Sequence, residues 1–99
     1  MSRELIVAEA DRVRSRLQTM PLTRVNEDVI AKVRAAAQRI VELTPDPDRP
    51  SHAVLPVAGP TALAAQLGVV VRDYVNMRTA ASDDAAVAQI LSDLRRMLP

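Results

Sequence analysis

The sequence predicts an all-α fold, a small four-helix bundle with a long proline-rich connector between its second and third helices. Three observations carry this. Apolar residues recur at steps of three and four along four separate segments, which lines them up on one face of an α-helix. No segment alternates apolar and polar residues as a half-buried strand does, and the apolar run at 69–71 sits inside a helical repeat. Five of the seven prolines fall between residues 44 and 60, where neither helix nor interior strand can form.

The first helix is expected over residues 3–19. Ile6, Ala10, Val13, Leu17 and Met20 form its stripe, Ser2 can cap its start, and Pro21 marks its end. The second, over 24–43, carries Val29, Val33, Ala36, Ile40 and Leu43, widened by Ile30, Ala37 and Val41. Thr23 or Asn26 is its N-cap, Glu27 and Asp28 suit its positive end, and Asp28 can pair with Lys32 one turn on. Residues 44–59 form a stiffened connector in which Val54, Leu55 and Val57 are apolar enough to lie against the bundle.

The third helix, 60–79, repeats the pattern with Leu63, Leu67, Val70, Tyr74 and Met77. Beside it runs a stripe of mostly small residues, Ala64, Gly68, Val71 and Val75, which would let another helix approach closely. So wide an apolar arc points to a central helix. The fourth, 83–98, has Ser82 as N-cap and Asp83 and Asp84 in its first turn. Val87, Ile90, Leu91, Leu94, Met97 and Leu98 form its apolar face, with Arg95 and Arg96 at its end. Acid first and base last is the order the helix dipole favours.

The composition excludes much chemistry. With no Trp, Phe or Cys, one Tyr and one His, the chain has no thiol, no second imidazole and almost no ring on which to stack a base or cofactor. His52 with Asp46 and Asp48 lacks both the glycine and terminal glutamate of a calcium loop and the ligand number of a zinc site. Ser51 or Ser82 with His52 has no strained turn or oxyanion hole to make a relay, and capping explains Asp83 and Asp84 better than acid–base work does. No catalytic residue, metal or cofactor is therefore expected.

A net charge of +1 argues for no polyanionic partner. Twelve arginines to one lysine, with abundant alanine, match the bias of GC-rich bacterial coding. Absence of cysteine fits a cytoplasmic protein, and the apolar run at 5–8 is too short for a signal-peptide core. Arg12, Arg14 and Arg16, with Arg24 beyond them, form the densest basic stretch, partly compensated by Glu9 and Asp11.

The expected function is non-enzymatic protein–protein contact, with self-association as a homodimer, because 99 residues with small side chains make a marginal core. Leu5, Ile6, Ala64, Gly68, Val71 and Val75 are the expected interface residues. A small enzyme or ligand-binding bundle with an unrecognised pocket, lined by Tyr74, Arg72 or His52, is one alternative. Another comes from residues 61–77, where Ala64, Gly68 and Val69 resemble the tight turn of a helix-turn-helix unit. That resemblance implies DNA binding through Arg72 and Asn76. It departs from the motif at Val70, where a Ser or Thr cap usually stands, and Asp73 would meet phosphate with the wrong charge.

Overall fold

A computed structural model describes residues 3–45, 59 and 61–99. Four α-helices form: α1 (Arg3–Thr19), α2 (Glu27–Leu43), α3 (Leu63–Met77) and α4 (Asp84–Met97), with a short 3₁₀ turn at Leu22–Arg24. Among the described residues there is no strand. Ser2, Ser51, His52, Asp46, Asp48, Pro60 and the connector's Val54, Leu55 and Val57 lie outside them.

The stripes read from sequence are the core. Ile6 and Val13 of α1, Val33 and Ile40 of α2, Leu67 and Tyr74 of α3, and Leu91 and Leu94 of α4 are essentially inaccessible to solvent. The ends of three stripes emerge, with Leu43, Met77 and Met97 exposed.

Local chemistry sets the boundaries. α2 begins at Glu27, three residues later than the periodicity indicates, because Arg24 N donates to the Pro21 carbonyl at 2.8 Å and Val25 N to that of Leu22 at 3.1 Å. This turn buries Val25. Asn26 is then the cap, its side-chain oxygen accepting from Val29 N at 3.0 Å. At α4 the expected cap is corrected: Asp83, not Ser82, accepts from Ala86 N at 3.0 Å. Ser82 instead accepts from Thr79 N at 2.9 Å, closing the loop before the helix.

α1 and α2 each pack against both α3 and α4, whereas the consecutive pairs α1/α2 and α3/α4 have no comparable contact. The helices therefore enclose the core as a ring of four and none is central, so the wide arc of α3 serves two neighbours. Helix directions follow from side-chain contacts. Arg14 lies against Gly68 while Glu4 acts on the charge of Arg78, so α1 and α3 are antiparallel. Glu9 meets Arg95 and Arg16 reaches the Pro99 carbonyl, so α1 and α4 run together. Thr44 and Pro45 share a cavity with Ser82 and Asp83, which places the end of α2 at the start of α4. The order is up-down-down-up, with parallel α2 and α3 on either side of the connector.

Two buried carboxylates hold this arrangement. Glu9 accepts from Arg12 Nη1 at 2.8 Å and from Arg95 Nε at 3.0 Å, so an acid that reads as the helical partner of Arg12 also ties α1 to α4. Asp84 accepts from the Tyr74 hydroxyl at 2.6 Å and from Arg78 Nε at 3.0 Å, with a second bond from Arg78 Nη2. This second cluster pins the α3–α4 corner, where the two helices do not approach closely along their length. The Arg78 and Tyr74 hydrogen bonds hold the Asp84 carboxyl below its ordinary range. Burial, with the same hydrogen bond, pushes the Tyr74 phenol upward, so it stays protonated as a donor.

Candidate interaction groove

Of the residues singled out from sequence, all but Leu5 gather between α1 and α3, though not as one exposed patch. Ile6, Ala64 and Val71 are buried in the chain's own core. The stripe of small residues faces α1: a Cβ added at Gly68 would stand 2.9 Å from Arg14 Nε. The close approach expected of this stripe thus occurs within one molecule. Gly68 and Val75 keep partial exposure, and Leu5 is exposed on the flank of α1 away from α3, about 200° around the helix from Val7.

Along the outer edge of this contact runs an open groove of about 440 Å³. Ala10, Ala65 and Gly68, all small, are among the residues that line it. Val7, Val69 and Val75 supply apolar walls, with Val7 39 % and Val69 47 % exposed. Arg3, Arg14, Arg72 and Asn76 supply polar ones, and Asp11 is the acid among the lining residues. Asp11 approaches Arg14 Nη1 only to 3.8 Å, and its side chain is largely in solvent.

Arg14 is drawn partly out of solvent, its side chain 38 % exposed. Gly68 lets its guanidinium settle against α3, where Nε is shielded from water and has no acceptor among the described residues. A buried donor without a partner costs about 1–3 kcal/mol. Sequence reasoning missed this residue's position. The available signal was a glycine inside an otherwise apolar helix, which marks close approach without naming what approaches.

A Gly68→Ala substitution should show how firmly Arg14 is held. Alanine stabilises an interior helical position by about 1 kcal/mol over glycine, and the obstructing atoms belong to the end of a flexible side chain. Urea unfolding should therefore show a gain below about 1 kcal/mol as Arg14 swings outward. A net loss would mean that the guanidinium cannot leave its seat.

A second cleft, of about 490 Å³, lies between α2 and α4. Of its three cations, Lys32 is matched by Asp28 at 2.8 Å and Arg96 by Asp93 at 3.2 Å, while Arg39 has no carboxylate partner among the described residues.

α3 is one unbroken helix through Gly68, so the turn that 61–77 resembles does not form. Leu67, Val70, Val71 and Tyr74 instead make one continuous buried face. Arg72 and Asn76 do share the groove. Tyr74, fully buried, is not brought together with Arg72, and its raised titration suits a structural hydroxyl. Among the described residues no group of three or more His, Asp or Glu side chains could hold a metal ion. No described helix is long and apolar enough to cross a membrane. No family model, curated protein or solved structure matches the chain.

Proposed function

We propose that this chain is a non-enzymatic, cytoplasmic protein of bacterial type that acts by protein–protein contact, with the α1–α3 groove as its docking surface. The observation that carries the reading is the exposure of Val7 and Val69 on walls that also carry three arginines against one aspartate. A groove of this form suits an amphipathic helix, which covers apolar surface with one stripe and meets charge at its margins.

Self-association as a homodimer is the second reading, favoured by Leu5, 39 % exposed on the other flank of α1. Three arginines to one aspartate line the groove, so a second copy is better received on that other flank than groove to groove. Light scattering at micromolar concentration tests it. A mass above 10.8 kDa that falls back with Leu5→Glu is expected. Loss with Val69→Glu instead would move the self-contact into the groove. A uniform monomer removes self-association and leaves the groove to a different protein.

A further inference from the structure

We infer that the occupant of the α1–α3 groove is an acidic amphipathic helix, whose carboxylates meet Arg3, Arg14 and Arg72 while its apolar stripe covers Val7, Val69 and Val75. The inference rests on the docking reading above and adds the partner's chemistry.

Charge is the first ground. Three guanidinium groups line the groove with one carboxylate, and that carboxylate is largely solvated and only loosely engaged with Arg14. At other helix junctions several arginines are matched at close range, Arg12 and Arg95 by Glu9 and Arg78 by Asp84, although Arg39 in the α2–α4 cleft has no carboxylate partner among the described residues. In the groove the one acid pairs loosely and the cationic excess stands beside exposed valines. A second copy of the chain meeting it groove to groove would bring the same positive surface and leave the excess uncompensated.

The second ground is independent of charge. Arg14 Nε is shielded from water, lacks an acceptor among the described residues, and lies against the glycine that gives the groove its depth. A carboxylate takes two parallel hydrogen bonds from a guanidinium, and one presented here would meet the part of the Arg14 side chain that stays exposed, 38 % of it, on a group already held against α3 at Nε.

Geometry fixes the form of the occupant. Arg3 and Arg14 stand eleven residues apart on α1, roughly 16 Å at 1.5 Å per residue. Because α3 runs antiparallel to α1 with Gly68 beside Arg14, Arg72 falls one turn along from that crossing, between the two α1 arginines. Three turns of helix span this distance. Acids at a first position, about seven residues on and about eleven residues on would lie on one flank, with apolar residues at steps of three and four beside them.

The test uses the intact chain and a fluorescent fourteen-residue peptide of that design, read by anisotropy. The controls are the same peptide with each Glu changed to Gln and a labelled DNA duplex. The acidic peptide should bind at least about tenfold more tightly than the Gln peptide, lose that advantage as salt rises, and lose it with Arg72→Glu or Arg14→Gln. Circular dichroism of each variant establishes that it is folded. Equal binding of both peptides, abolished by Val69→Glu, would overturn the acidic partner and keep the docking groove. Binding that ignores Val69→Glu would overturn the groove as well. Duplex bound in place of the peptide, or neither probe bound, would overturn the inference.

Discussion

Truncating Leu67 to alanine is expected to lower the unfolding free energy by about 2–5 kcal/mol, a large fraction of what a chain of this size holds. Leu67 is fully buried near the middle of the α3 stripe, and α3 faces both α1 and α2. The loss combines the transfer of the missing methyl groups with the void they leave. Val69, two residues along, is 47 % exposed, and its truncation should stay within about 0.5 kcal/mol. Urea unfolding of the pair checks this, and similar effects at the two positions would contradict the assignment of the α3 face.

Asp84 carries the second large effect. Replacement by alanine strands the buried Tyr74 hydroxyl and removes the carboxylate from Arg78 together, for an expected loss of about 2–3 kcal/mol near neutral pH. Tyr74→Phe removes one donor and leaves the ion pair, so it should cost about 1 kcal/mol. The pH dependence has a definite sign. The folded carboxyl titrates below its unfolded value, chiefly through Arg78 and then Tyr74. Its contribution is complete above the unfolded pKa of about 3.9 and disappears as pH falls through the lower folded value. The stability gap between the unmodified protein and Asp84→Asn should be flat near neutrality and narrow in acid below that point. A gap that widened in acid would mean the carboxyl is not held in its ionised form.

The helices were legible because each stripe obeys a single period, and burying it requires nothing beyond a neighbour. Their junctions were harder to read. Asn26 and Thr23 compete as caps in any sequence rule, and the decision came from the Pro21 carbonyl, which drew residues 22–24 into a tighter turn. Asp84 carries the same signature as any acid in a first turn, whether solvated or buried. Only a lone tyrosine on an apolar stripe, in need of a hydroxyl partner, pointed inward. The stripe of Ala64, Gly68, Val71 and Val75 correctly announced a close neighbour, yet spacing contains nothing that separates a helix of the same chain from one of another. The groove became visible only once α1 lay beside α3, because its arginines come from positions distant in sequence.

The ring of four, in which successive helices are not neighbours, bears on how the molecule comes apart. Among the described helices the close packing joins α1 and α2 to α3 and α4, and neither consecutive pair has a comparable seam of its own. Amides in the middle turns of the four helices should therefore exchange with solvent chiefly through global unfolding, with similar protection on each helix. Weakening one rod would then lower the protection of its two neighbours as well.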